Sequence, residues 1–311
     1  MLFSCAGKVF ITGEYTCIQG GPALLGTVDP LFQLEAVRDA ATSSRHASPF
    51  AAQSPAGLYL AANSDALTDV RLTWTDPYDT PIGVGSSSAQ FILSVATVHA
   101  LRGNPMPAAE KVLALYWSIV GDTQGLRPSG ADIVAQWLGG PVVVCNEPFL
   151  AGKLDSWTGD AQFILAYTGR KAKTHEHLLQ LRARGFPHEF APAFNQLNEI
   201  TLGAIDAWKA QDAGKLGAAL RLFQAALARG GLAPAEFTAE LDPIQNWPGV
   251  LGCKGSGAQG GDCVLLLVAT NAVSRVCDEL KNRSWKPIVA NWTSNELGGP
   301  AGWNLSGSRK S

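Results

Sequence analysis

Charge is scarce in this chain. Its 24 Lys and Arg and 26 Asp and Glu make up 16% of 311 residues and leave a net charge of −2. That balance implies no basic surface of the kind that binds nucleic acid. An anionic ligand would have to be met by local groups. The six cysteines (Cys5, Cys17, Cys145, Cys253, Cys263, Cys277) form no CxxC pair, which excludes the common zinc and redox spacings. Several sit inside apolar runs and read as buried free thiols, as expected in a reducing cytoplasm. No run approaches the ~18 apolar residues of a membrane span. The start, MLFSCAGKVF, lacks a charged segment followed by a long apolar one, so it does not read as a signal peptide. The expectation is a soluble, cytoplasmic protein with no membrane partner. There is no GxxxxGK(S/T) phosphate loop, no HExxH, no internal repeat and no heptad pattern. His175-Glu176-His177 makes no metal pair, because residues i and i+2 do not share a helix face.

What the chain does have is small residues, in three places. Gly83-Val84-Gly85-Ser86-Ser87-Ser88-Ala89 opens directly into an apolar segment with helical spacing, 91–101. Glycines allow close backbone approach and positive φ, serines add hydroxyl donors, and a helix start offers free N–H groups to an anion. The plain alternative is a turn before a core helix. A second stretch, 121–140, holds Pro128-Ser129-Gly130 as a tight turn, with Ser129 as N-cap of a helix over 131–138. Asp132 then lies in the first helical turn, either complementing the helix dipole or acting as a base at a loop-lined site. The third stretch, Gly255-Ser256-Gly257-Ala258-Gln259-Gly260-Gly261, satisfies GxGxxG. A dinucleotide fingerprint must open a helix, whereas this one leads into the strand-like run 263–269, so a Rossmann site is rejected.

The remaining patterning predicts a strand over 8–12, turns at 13–15 and 20–22, and strands over 23–26 and 31–37. A hairpin is expected from 57–62 and 70–75. A helix over 108–120 follows, with strands at 141–145 and 162–167 and a loop over 146–159 between them. A short helix is expected over 175–185 and long helical patterning over 190–227, broken at Asp212-Ala213-Gly214. A strand over 250–254, a helix over 271–281 and a strand over 287–292 complete the pattern. Lys8 follows Ala6-Gly7, and its ammonium either approaches a ligand or is solvated at a strand end. Arg170, Lys171 and Lys173 form a basic loop that either holds a phosphate or is solvated surface. The length suggests about two domains.

Four segments, in order, resemble the motifs of the GHMP kinase superfamily, which includes galactokinase and homoserine, mevalonate and phosphomevalonate kinases. They are Ala6-Gly7-Lys8 to Glu14-Tyr15, Pro81 to Ala89, Pro128-Ser129-Gly130-Ala131-Asp132, and Lys254 to Cys263. Gly13-Glu14-Tyr15, the 124–132 run and Gly260-Gly261-Asp262-Cys263 are most similar to phosphomevalonate kinases. Gln259 and Gly255 depart from the usual pattern. The acidic magnesium ligand of mevalonate kinases is out of register, with Gly121 at its spacing and Asp122 beside it.

The resemblance implies an α+β protein of two domains. Residues 1–158 would be of the ribosomal protein S5 domain 2 type and bind ATP; residues 159–311 would be ferredoxin-like. ATP phosphates would lie over Gly83, Val84, Gly85, Ser86, Ser87, Ser88 and Ala89. Ser86, Ser87 and Asp122 would hold Mg²⁺. Asp132 would accept the proton of the attacking oxygen, with Lys8 close by. Glu14, Tyr15, Ser129, Gly130, Arg170, Lys173, Gly257 and Ala258 would meet the substrate. That substrate would be 5-phosphomevalonate, or mevalonate or another small alcohol in a related kinase. A diphosphomevalonate decarboxylase is a further alternative. The protein would act as monomer or homodimer. Gln259 and the displaced acidic ligand point toward a nucleotide-binding relative without turnover; Lys8 and Asp132 point away from one.

Overall fold

The structure is a computed structural model, and it describes residues 1–39, 48–78, 82–121, 127–170, 181–257, 263–292 and 297. Two antiparallel sheets carry the fold. The first contains β1 (Leu2–Thr12), β2 (Ala23–Arg38), β3 (Val70–Thr75), β4 (Val142–Asn146) and β5 (Phe149–Lys153). Its order is β1-β2-β4-β5, with β3 also paired to β2. The second contains β6 (Ala161–Tyr167), β7 (Val250–Gly255), β8 (Cys263–Ala269) and β9 (Lys286–Val289), in the order β7-β8-β6-β9. With its helices in separate layers against antiparallel sheets, the protein is α+β.

Alternation within the central strands explains their unbroken apolar runs. Phe163, Leu165 and Tyr167 of β6, with Cys263, Leu265 and Leu267 of β8, face a core shared with β1 and β2. Ile164, Ala166, Val264, Leu266 and Val268 face a second core. That core is closed by α7 (Ala235–Gln245) and α8 (Val273–Asn282). A strand buried on both faces needs apolar side chains at every position.

The helices follow their caps. α1 (Pro55–Ala62) begins at Ser54, whose side chain accepts from the Gly57 N–H, with Pro55 in the first turn. This corrects the hairpin expected at 57–62: a Ser-Pro start is a helix signal. α2 (Ser86–Leu101) begins five residues earlier than its apolar stretch, so the serines form its first turn. α3 (Ala109–Val120) and α4 (Ala131–Leu138) follow. α5 (Ala191–Lys209) and α6 (Ala213–Arg229) break where expected, because Asp212 caps α6 by accepting from the Lys215 N–H at 2.9 Å.

Other boundaries also move. The strands expected at 23–26 and 31–37 are one strand, β2, paired to β1 on both sides of a register shift between Cys5 and Gly7. The loop expected over 146–159 contains β5, paired to β4. The last strand ends at Val289, and Trp292 instead makes an isolated bridge to Val28 in the first sheet. Helix α7 buries a short apolar stripe, Phe237, Leu241 and Ile244, interrupted by Pro243, and no helix is predicted there from the sequence. Residues 181–183 are helical, while 175–180 of the helix expected over 175–185 lie outside the described residues.

Candidate active site

The site is built where β1, α2 and α4 meet. Gly85 caps α2 with φ 87°. A Cβ there would stand 2.9 Å from Lys8 Cγ, 2.9 Å from Ser88 Oγ and 3.1 Å from Gln136 Oε1. Only glycine fits both that dihedral and that space. Lys8 is 9% exposed; its ammonium donates to Gly83 O at 3.2 Å and its backbone N–H to Val84 O at 2.8 Å. The 83–85 turn is therefore laid against β1, with the Lys8 side chain beneath it.

The three serines of the cradle differ in what they do. Ser88 is buried and donates to Gly85 O at 2.9 Å. Ser86 donates to Asp76 Oδ2 at 2.9 Å, and Ser87 is exposed. Asp76 was not anticipated, because it follows β3 with no motif around it. Hydroxyls and one carboxylate are a hard-oxygen donor set, which suits Mg²⁺. Asp122, the residue the sequence suggested for that role, lies outside the described residues. So do Lys171, Lys173, Ala258 and Gln259.

Asp132 lies in the first turn of α4, partly exposed. The N-cap is Gly130, at φ 65°, rather than the expected Ser129. Ser129 sits one residue earlier, its Oγ accepting from the Ala131 N–H at 3.4 Å. A side chain at Gly130 would collide with Leu113. One turn beyond Asp132, Gln136 donates to Ala6 O at 2.8 Å, which ties α4 to the strand that carries Lys8. The 127–130 segment is strapped down from outside. Trp117 Nε1 donates to Pro128 O at 2.8 Å, Arg127 lies 3.7 Å over the Trp117 ring and pairs with Glu147, and Asn146 donates to Ser129 O. Cys17 connects this wall to the next. Its thiol lies against Ser129 and feels both Glu14 and Asp132; burial, first of all, pushes it up to about 12.

Three residues expected to meet the substrate are engaged elsewhere. Glu14 is buried and ion-paired with Lys254, the residue that opens the third small-residue stretch. Burial pushes the Glu14 carboxyl up and the Lys254 ammonium down, each partly drawn back by the other. Tyr15 is buried with its ring edge-on to Phe186 at 6.0 Å. Burial, then the Glu14 charge, raises its hydroxyl. Arg170 forks onto Glu240 of α7, donating to Oε1 at 2.6 Å and to Oε2 as well. Gly257 ends the described part of the third stretch with φ 80°, and no atom of the other described residues would lie within 4 Å of a Cβ there. Lys254 was legible in the sequence only as a lysine inside a strand pattern, a place where a charge needs a partner.

No family model matches the sequence, and no curated protein matches it. Solved structures do. The Lin0012 protein from Listeria innocua superposes with a TM-score of 0.78 at 16% identity, covering 94% of this chain and 97% of that one. The Streptococcus pneumoniae phosphomevalonate kinase gives 0.75 at 15% identity, covering 94% and 99%. The Methanococcus jannaschii mevalonate kinase gives 0.71 at 16% identity, covering 94% and 98%. The chain has the fold of the GHMP kinases.

Proposed function

We propose that the chain is an ATP-dependent phosphotransferase acting on a small alcohol, with 5-phosphomevalonate as the first acceptor to test. One observation carries this reading: Lys8, the Gly85-capped start of α2 and Gln136 of α4 meet, one helical turn from Asp132. Phosphoryl transfer mostly asks a protein for positioning and charge stabilisation, and these groups supply both. Free N–H groups of the first α2 turn face a phosphate chain. Asp132 takes the proton of the attacking hydroxyl. Lys8 stabilises negative charge on the transferring group. Mg·ATP, when bound, supplies the phosphoryl group, and Asp76, Ser86 and Ser87 are the residues that would hold the cation.

The engagement of Arg170 by Glu240 favours a second reading, in which the acceptor carries no phosphate. Mevalonate is then the acceptor. The experiment is ADP formation with Mg·ATP against mevalonate and 5-phosphomevalonate side by side, with carbon dioxide and inorganic phosphate monitored. ADP with phosphomevalonate alone supports the first reading, and ADP with mevalonate alone the second. Carbon dioxide with phosphate from diphosphomevalonate, added as a third substrate, would make it a decarboxylase. No ADP with either, in protein that binds Mg·ATP, would overturn both kinase readings.

A further inference from the structure

The ion pair between Glu14 and Lys254 joins residues 240 apart in sequence, one from each sheet's half of the chain, and it is sealed: Lys254 is 0% exposed and Glu14 4%. Buried pairs are a poor source of stability, because two charges leave water to make one contact. This pair is also incompletely satisfied, since Glu14 Oε2 has no hydrogen-bond partner among the described residues. Stability alone does not account for it. Direction does. The Lys254 ammonium also reaches Phe10 O at 3.4 Å, so it is gripped by both the end of β1 and the turn after it.

Its neighbours are gripped in the same way. Gln245 of α7 accepts from the Cys253 N–H at 3.1 Å and donates to Cys253 O at 2.8 Å. Gln224 of α6 accepts from the Gly255 N–H at 2.9 Å. Three successive residues at the end of β7 are thus each engaged by a polar side chain from a different element, Glu14 and Gln224 buried and Gln245 half-buried. The last of them, Gly255, opens the third small-residue stretch, and the N–H of the next residue, Ser256, donates to Cys263 O at 2.9 Å. Apolar packing is non-directional and would hold the strand without fixing its exit. A hydrogen-bonded charge pair fixes it.

We propose that Glu14 and Lys254 are positioning residues: their ion pair registers residues 255–257, the start of the third small-residue stretch, against the turn that follows β1, and neither touches the substrate. The consequence for activity rests on the kinase reading; the consequence for the loop does not. Glu14 acts through Lys254, and Lys254 through the backbone that leaves it.

The test compares wild type with Glu14→Gln, Lys254→Met and the double variant Glu14→Leu/Lys254→Met. Thermal unfolding, amide hydrogen exchange at residues 255–257, and kcat and KM are read on each. The double variant removes both charges together and is expected to melt at or above wild type. Its exchange at 255–257 is expected to rise at least tenfold and its kcat to fall at least tenfold. A double variant that recovers wild-type exchange and kcat along with its melting temperature would overturn the proposal, because the pair would then be structural only. If the double variant fails to fold, Glu14→Asp decides: it keeps the charge and shortens the reach by one methylene. A folded Glu14→Asp with faster loop exchange and lower kcat supports the proposal; one unchanged in both overturns it. If wild type turns over no acceptor, the kinase reading falls, and exchange at 255–257 still decides the positioning claim.

Discussion

Asp132 and Gly85 carry different burdens and fail differently when replaced. Asp132 is partly exposed on the first turn of α4, with its backbone held by the Gly130 cap and by Gln136. Asp132→Ala is therefore expected to fold normally and to bind nucleotide as wild type does. It is expected to lose on the order of 10²–10⁴ in kcat, the usual contribution of a placed general base. Steady-state kinetics beside equilibrium titration with a non-hydrolysable ATP analogue checks this; undiminished kcat removes Asp132 from the chemistry. Gly85→Ala is the opposite case. Its Cβ would press on Lys8 and Ser88 at 2.9 Å from a left-handed backbone. A strain of about 1–3 kcal/mol is expected, seen as a lower melting temperature together with a raised KM for ATP.

At the scale of elements, two ion pairs illustrate how burial decides worth. Arg170 and Glu240 link the end of β6 to α7 with both side chains over a third exposed. The Arg170 hydrogen bonds lower the Glu240 carboxyl below the ordinary range. That contribution is present above the ordinary carboxylate pKa and is lost as pH falls through the lowered one. Glu240→Gln is expected to cost under about 1 kcal/mol at pH 7 by urea denaturation, and to leave the acceptor KM unchanged. A KM that falls would mean that Arg170, once released, reaches the substrate.

The Glu14–Lys254 pair joins β7 to the turn after β1, and its signs are reversed. The raised folded pKa of Glu14 gives a contribution present at acid pH and lost as pH rises through it. The lowered pKa of Lys254 gives one present above the ordinary lysine value and lost as pH falls. Near neutrality, holding both groups charged opposes folding. Lys254→Met alone is expected to lose about 3–5 kcal/mol, and the double variant Glu14→Leu/Lys254→Met to be neutral or more stable by about 1–4 kcal/mol. Urea denaturation of the three proteins at pH 7 checks the pattern.

For the whole molecule, the decisive fact is that the two sheets share a core. Phe163 and Leu165 of β6, Trp208 of α5, and Leu216 and Leu220 of α6 belong to the same buried cluster as Ile11, Leu24 and Phe32. Trp157, Phe163, Trp208 and Trp292 form an aromatic group with centroid separations of 4.9–5.9 Å. Trp208 is fully buried, and its indole N–H donates to Asp155 O at 2.9 Å. Trp208→Ala is expected to cost about 3–5 kcal/mol, and to lower one calorimetric transition rather than detach one of two. Two separate transitions in wild type would mean that the halves fold independently despite the shared core.

Much of this was determined locally and so was legible in the sequence. The break at Asp212 is a cap, the cradle at 83–89 is glycine chemistry before an apolar helix, and the runs over 161–167 and 263–269 are strands buried on both faces. Each depends on neighbours a few residues away, and the motif order carried the family resemblance. The α1 start at Ser54-Pro55 was equally local, yet the surrounding alanines and small polar residues hid it. The sequence could not say which charges meet. Glu14 finds Lys254 across 240 residues, Asp76 finds Ser86 across 10, and Arg170 finds Glu240 across 70. A side chain's chemistry belongs to its residue type, whereas its partner, its burial and hence its pKa exist only once the chain has closed on itself.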